Sequence, residues 1–309
     1  MNHDLEVYKL AFPSANYREL DIQLFPIADR QAYLRFMPSY RISSGLPDYQ
    51  FRLWSTSSWQ SFSLFIEPVI VNSVNGNELL GTDYSRAGMS GRIVNSFLRY
   101  ENNLINIQFG RSPVWWGQSW ESSIIQSGHF PSYDNLSTRF NIGDFQMELL
   151  SGQLSSEYIS VDGDDNEKRI KRYIAGHRVT WLPRHDKWVL SIGEQIIYTG
   201  QDRSLELFYL NPAIPYFFSA LEGDEMTDPD NDNSIIFING RYLFKPNLSA
   251  YFEFILDEYQ VDKNTTPHAL GYKIGLDGGT TLKGKDLSFE FEYTNIDSWT
   301  YIHHGQFTS

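Results

Sequence analysis

The chain has 309 residues, 41% of them hydrophobic, which is enough for one large domain or two ordinary ones. Its 38 acidic against 25 basic residues give a net charge of −13, a surface that repels nucleic acid and removes that partner class. Cysteine is absent, which excludes a disulfide scaffold and thiolate chemistry.

No apolar run of about 18 residues marks a transmembrane helix. The mean hydropathy of −0.39 argues the same way, but leaves open a membrane barrel, whose inward face is polar. Aromatics reach 16%, a level that suits contact with lipid headgroups or sugars.

Residues 1–20 carry only a weak pattern (Leu5, Tyr8, Leu10, Phe12), and Pro13 ends any helix there. Met1-Asn2-His3-Asp4 is polar and acidic with no apolar run behind it, so no signal peptide is visible. The simplest reading is a mature or partial chain. From Asp21 onward apolar and polar residues alternate. Leu34 and Phe36 oppose Tyr33 and Arg35, then Tyr49, Phe51 and Leu53 oppose Gln50 and Arg52. Ser55-Thr56-Ser57-Ser58 reads as a turn into Phe62, Leu64 and Ile66, making a hairpin. Asn75-Gly76 punctuates a longer excursion, and Asn102-Asn103 turns the next strand into one ending at Phe109.

There the alternation stops. Gln108 to Phe140 holds Trp115, Trp116 and Trp120 within six positions, set among Gly117, Gln118, Ser119 and Ser122 instead of aliphatic neighbours. Aromatic faces among small hydrogen-bonding residues suit stacking on a sugar ring whose hydroxyls are bonded from the side. An aromatic girdle or plug that only packs fits the same composition equally well.

Alternation resumes at Phe145, Met147 and Leu149, then at Val179 and Trp181, with Trp188, Leu190 and Ile192 returning. Ser204 to Ser219, aromatic and broken by Pro212 and Pro215, reads as a partly buried loop or short helix. The clearest hairpin runs from Ile238 to Phe244, turns at Lys245-Pro246-Asn247, and returns from Leu248 to Leu256. Leu270 to Leu276 and Leu287 to Tyr293 make another pair. The fold predicted is all-β, an antiparallel transmembrane up-and-down β-barrel over 21–309, with about twelve to fourteen strands of about 10 residues. Short turns alternate with long loops, and one face of each strand is apolar, as such a barrel needs.

Gly110-Arg111-Ser112-Pro113-Val114-Trp115-Trp116-Gly117, followed by Ser122-Ser123-Ile124-Ile125-Gln126-Ser127, resembles the hallmark of the Wzi family of capsule assembly proteins. Pro131 and Leu136 fill the later places of that pattern. A second block agrees: Tyr209-Leu210-Asn211-Pro212, Asp232-Asn233, and Tyr251 to Phe254 leading into Asp257-Glu258. The similarity spans roughly residues 90 to 300. Gln118-Ser119 and Gly128-His129 depart from the family's usual pairs. The resemblance implies a monomeric outer-membrane β-barrel at the bacterial surface, with membrane lipid and capsular or other surface polysaccharide as partners. It implies a barrel larger than this chain closes, so an incomplete one is expected. The residues it points to for sugar binding are Trp115, Trp116, Trp120, Gln118, Gln126, Asn211, Asp257 and Glu258.

Catalysis is not indicated. The chain has no Gly-x-Ser-x-Gly, no His-Glu-x-x-His and no phosphate-binding glycine loop, and nothing in it calls for a cofactor. His129, His177, His185 and His303-His304 lack metal-ligand spacing. Asp228 to Asn233 resembles the start of a calcium loop, but Asn233 stands where Gly is needed and Asn239 where Glu is needed. Glu148, Glu253, Asp257, Glu258, Glu290 and Glu292 could supply a glycosidase pair, yet on polar faces beside Arg99, Arg178, Arg241 and Lys273 they read better as interior ion pairs. A secreted glycoside hydrolase and a general porin are the alternatives.

Overall fold

A computed structural model describes residues 20–27, 30–43, 46–72, 85–119, 122–128, 131–160, 167–183, 187–216, 232–258, 269–282, 285–298 and 300–301. Trp120, His129, His185, His303-His304, Asn75-Gly76 and the acidic stretches 161–166 and 217–231 lie outside them, as does most of the N-terminal segment. The chain divides into two compact units. The first holds Met1–Asn102, Gln108–Pro113 and His129–Ser132, and the second Asn103–Ile107, Val114–Gly128 and Tyr133–Ser309.

In the first unit β1 (Leu20–Ile27), β2 (Arg30–Ser43), β3 (Leu46–Trp59), β4 (Phe62–Asn72) and β5 (Met89–Glu101) pair antiparallel in sequence order. β6 (Ile105–Ser112) has residues in both units. The run Ser55–Ser58, expected as a turn, is the end of β3, paired with Ser63 to Ile66 across from it. The chain turns instead at Gln60, whose φ of 50° is left-handed. Hydroxyl side chains compete for backbone bonds where the chain is solvated, but here both flanking strands supply partners, so the ladder wins. Within this unit Glu67 is buried, paired with Arg52 at 3.0 Å and bonded by Asn95 at 2.6 Å.

The second unit holds β7 (Tyr133–Ile142), β8 (Phe145–Gln153), β9 (Glu157–Ser160), β10 (Glu167–Trp181), β11 (Trp188–Gly200), β12 (Asp232–Lys245), β13 (Leu248–Glu258), β14 (Ala269–Leu282) and β15 (Lys285–Ile296). The four-residue β9 pairs with β10. The others form one antiparallel meander in which β10 follows β8. The hairpins foreseen at β10/β11, β12/β13 and β14/β15 are present. Several strands reach 13–15 residues, longer than the 9–11 or so needed to cross a bilayer. In the second unit the short turns fall at one end of the strands and the long connections at the other; the first unit follows the same pattern except for the two-residue β2/β3 connection.

The period-2 alternation gives each strand two chemically distinct faces. In the second unit one face carries Val179, Ile192, Ile238, Phe254, Ile274, Leu276 and Phe291, all exposed. Such a contiguous apolar surface is unsuited to water and suited to lipid. The opposite face carries Glu148, Arg178, Asn239, Arg241, Glu253, Lys273 and Glu292. At the short-turn end the apolar face is rimmed with aromatics. Trp188 and Tyr242 rings lie 4.5 Å apart and Tyr242 and Phe244 4.9 Å apart. In the first unit Trp59, Phe62 and Tyr100 stack in the same way at that end. Rings with an apolar body and a polar tip collect at a membrane–water boundary.

Candidate functional site

The connection between β6 and β7 folds back along the polar face of the second unit, where its core is Trp116. That side chain is 3% exposed and packs with Ile124, Ile125, Leu150, Ile174, Phe237 and Ile255. The Phe237 ring lies tilted against it, centroids 5.7 Å apart, and the Arg178 guanidinium sits 5.2 Å from the indole centroid. β10 admits the ring because position 176 is glycine: a Cβ there would come within 2.6 Å of the indole. Backbone bonds in both directions tie Trp116 to Gln126 and close the loop into a short two-stranded turn.

The loop is held mainly by one carboxylate. Glu253, on β13 and 1% exposed, accepts N–H bonds from Gln118 (2.5 Å) and Ser119 (3.0 Å) on one oxygen. Its other oxygen accepts the Ile124 N–H (2.8 Å) and shares the Ser123 hydroxyl proton (3.0 Å) with the Trp116 carbonyl (2.7 Å). Four donors thereby satisfy a buried carboxylate that would otherwise be costly to desolvate. Gly117 is required at the crossing, since a Cβ there would meet the Ser123 hydroxyl at 2.0 Å and Glu253 at 2.6 Å.

Neighbouring strands add further ties. Gln118 donates its side-chain amide to Asn239 (2.8 Å), and its carbonyl accepts from Arg241. Arg241 pairs with Asp277 at 2.6 Å and lies over the Tyr251 ring at 4.7 Å. Lys273 donates to the Ser122 carbonyl, to its hydroxyl (2.7 Å) and to Glu292 (3.1 Å). The Tyr251 hydroxyl lies within hydrogen-bond reach of both Glu290 and Glu292, its one proton shared between them. Of the interior ion pairs read from the sequence, Arg178 with Glu148 and Lys273 with Glu292 are present, Glu148 being held by Arg139 as well, whereas Arg241 takes Asp277 and Arg99 bonds the Gln108 amide oxygen.

The sequence-derived candidates separate accordingly. Trp115, next to a buried tryptophan, is 36% exposed. Gln118 is part-buried and anchors the loop. Gln126 donates to the Tyr133 hydroxyl at 2.5 Å. The Asp257 carboxylate accepts the Tyr301 backbone N–H. Trp120 and the Glu258 side chain lie outside what is described.

Asn211 belongs elsewhere, in the connection after β11. It is exposed, and its side-chain oxygen accepts the Ala213 N–H at 3.1 Å. A 3-10 turn at Phe208–Leu210 precedes it, and Tyr209 and Tyr216 pack with Tyr173, Ala175, Ile196 and Tyr198. Those four strand residues alternate with Ile174, Gly176 and Ile197, so they lie on the face opposite the Trp116 loop. Asn211 and Gln118 are thus on opposite sides of the sheet. Arg203 pairs with Glu206 and Asp232, and Tyr209 donates to Asp232. Burial opposes the Arg203 charge, but the two carboxylates outweigh it and hold the guanidinium above its ordinary range. Burial, with Asp232 adjacent, likewise raises the Tyr209 phenol.

The missed residue is Glu253. Its position on the polar face was legible, but nothing in a one-residue alternation marks it as the anchor of a loop 130 positions away.

Among the described residues no group of His, Asp and Glu is arranged to hold a metal ion. Residues 48–308 match the family model described as capsule assembly protein Wzi. No curated protein sequence matches the chain. One similar solved structure is that of Escherichia coli Wzi, described as an outer membrane protein involved in group 1 capsule assembly and a carbohydrate-binding β-barrel. The TM-score is 0.54 at 14% identity, covering 99% of this chain and 61% of that one. This chain thus spans about three-fifths of that protein's length. Pseudomonas putida OprB gives 0.43 at 11% identity, covering 96% of this chain and 77% of that one. Vibrio cholerae OmpT lacking loop L8 gives 0.38 at 11%, covering 91% and 92%.

Proposed function

Because this chain belongs to the Wzi family of capsule assembly proteins, we propose that it binds a cell-surface polysaccharide and helps assemble or attach it as capsule. It is an outer-membrane protein of β-barrel fold. The polar face of the second unit is then the lumen, and the apolar face meets lipid.

The observation that carries the reading is the division of labour in the inward loop. Trp116 is buried and Glu253 fixes the backbone, which leaves Trp115 as an aromatic surface on a rigid support. A preorganised ring loses little entropy on stacking a sugar. Trp115 stacks, and the Gln118 edge hydrogen-bonds hydroxyls, while Gln126, bridged to Trp116 and bonded to Tyr133, braces the loop from the buried side. Trp116 supports them from beneath, and Asn211, on the outer side, takes no part in this subsite. The protein acts as a monomer.

A binding role is favoured over hydrolysis by how the interior carboxylates are used. Glu253 accepts four bonds, Glu148 is shared by two arginines, and Glu292 is engaged by Tyr251 and Lys273. A general acid or nucleophile needs an oxygen turned to the substrate. The test is co-sedimentation of purified protein with surface polysaccharide, comparing wild type with Trp115→Ala. Binding without shortening of the polymer, lost in the variant, is expected. Depolymerisation, or unchanged binding by Trp115→Ala, would refute the reading.

A further inference from the structure

The connection after β11 lies where a lipid-facing surface should be. Along the apolar face of β11 the outward positions are Trp188, Leu190, Ile192, Glu194, Ile196 and Tyr198. Trp188 sits in the aromatic rim, and a tilted strand needs about 10 residues to cross the hydrocarbon layer, so the crossing should extend from Trp188 to about Tyr198. Ile192 is 58% exposed, as a lipid-facing residue should be. Beyond it the outward face turns polar, with Glu194 on β11 and His177 on β10. A carboxylate and an imidazole are poor neighbours for acyl chains.

Both are covered by residues 203–216. The Tyr216 N–H donates to Glu194 at 2.5 Å, and its ring lies 4.6 Å from that of His177. The Tyr216 hydroxyl donates to the Tyr209 carbonyl at 2.8 Å. The segment is pinned at its start by Arg203 to Asp232, at 2.9 Å. Its backbone is partly self-satisfied: Leu210 N–H to Leu207, Asn211 N–H to Phe208, and Ile214 N–H to Asn211. That is a condition for irregular chain beside lipid. The side turned away from the barrel presents Leu207, Leu205 and Leu210, exposed at 82%, 55% and 40%.

We propose that residues 203–216 form an outward foot that lies in the membrane interface, covers the polar gap at His177 and Glu194, and dips Leu205, Leu207 and Leu210 into the acyl chains of the lipid leaflet. Three leucines continuing the band of Ile192 and Val179 restore the apolar surface that the strands interrupt. Shallow insertion fits the neighbouring Ser204 and Asn211, which remain at headgroup level. The inference rests on the barrel's place in the membrane, not on any sugar contact.

The chain has no cysteine, so Leu207→Cys offers a unique site for a nitroxide. The purified full chain, reconstituted in phosphatidylcholine vesicles, would be read for collision with oxygen, which partitions into lipid, and with a water-soluble nickel chelate. Ile192→Cys is the lipid control and Ser155→Cys the water control. Leu207 is expected to match Ile192, with nickel-chelate collision lost relative to Ser155. Nickel-chelate access at Leu207 equal to that at Ser155 would overturn the foot while leaving the membrane reading intact. Access at Ile192 as well would overturn both. Shielding that vanishes when the protein is diluted in excess lipid would assign the patch to a second copy of the chain and overturn the lipid contact. Folding is checked by the heat-dependent gel shift, and Leu205→Cys and Leu210→Cys repeat the measurement should Leu207→Cys fail that check.

Discussion

Glu253→Gln isolates the loop anchor from the strands that carry it. The amide keeps the shape of the carboxylate but only one acceptor oxygen, and sets a donor against two of the four groups now bound: Gln118 N–H, Ser119 N–H, the Ser123 hydroxyl and Ile124 N–H. Losing a charge-assisted bond while its donor stays buried costs about 1.5–3 kcal/mol. Two such losses, reduced by local relaxation and water entry, weaken loop docking by about 2–4 kcal/mol. The β-ladders are untouched, so the loss appears as local opening, not unfolding. Hydrogen exchange at the Gln118, Ser119 and Ile124 amides should accelerate about 30- to 700-fold, at about tenfold per 1.4 kcal/mol, with β12–β14 amides unchanged. Equal protection of those three amides in a folded Glu253→Gln protein would refute the anchoring argument. Parallel acceleration in β13 would show instead that Glu253 stabilises the sheet itself.

Three further outcomes follow from the same geometry. Trp116→Ala should destabilise the fold by about 3–5 kcal/mol through loss of a core ring, whereas Trp115→Ala should leave the unfolding midpoint within error and weaken polysaccharide binding. Without detergent the protein should aggregate, because the face carrying Ile238, Phe254, Ile274 and Phe291 meets water; a stable, monodisperse detergent-free monomer would contradict this. Burial beside Asp232 raises the Tyr209 phenol above its ordinary value. The neutral form is therefore the native one, and its contribution is fully present below about pH 10 and lost as pH rises further. Loosening of residues 203–216 above that pH, blunted in Tyr209→Phe, would be seen by hydrogen exchange.

The strands were legible because period-2 alternation reports which residues share a face, and a face is all that a barrel strand must specify. The hairpin from Ile238 to Leu256 illustrates this: both strands, their turn and the polar set Asn239, Arg241 and Glu253 followed from alternation alone. The turn at Gln60 did not, since Ser55 to Ser58 carry the composition of a turn in a segment whose partners on both sides make it strand. The segment after β11 was recognisable as aromatic and broken, but its side of the sheet was not. That is set by the packing of Tyr209 and Tyr216 on Tyr173 and Tyr198, rings far apart in sequence.

The adjacent tryptophans show why the site itself resisted reading. Composition left stacking and packing evenly matched for Trp115 and Trp116, and the structure buries Trp116 while leaving Trp115 partly exposed. Reciprocal backbone bonds between Trp116 and Gln126 make that point locally extended, so successive side chains diverge to opposite sides. One indole must enter the core if the other is to leave it. Which one enters depends on Gly176, sixty positions away, whose missing side chain admits Trp116. The polar clamp follows from the same constraint. A loop that spends one tryptophan on the core and keeps its other residues polar has little apolar area with which to dock. Charge-assisted bonds to Glu253, Arg241 and Lys273 supply the rest, and fix the direction in which Trp115 points. A purely apolar plug could dock as firmly, but would leave the exposed ring free to slide among equivalent packings.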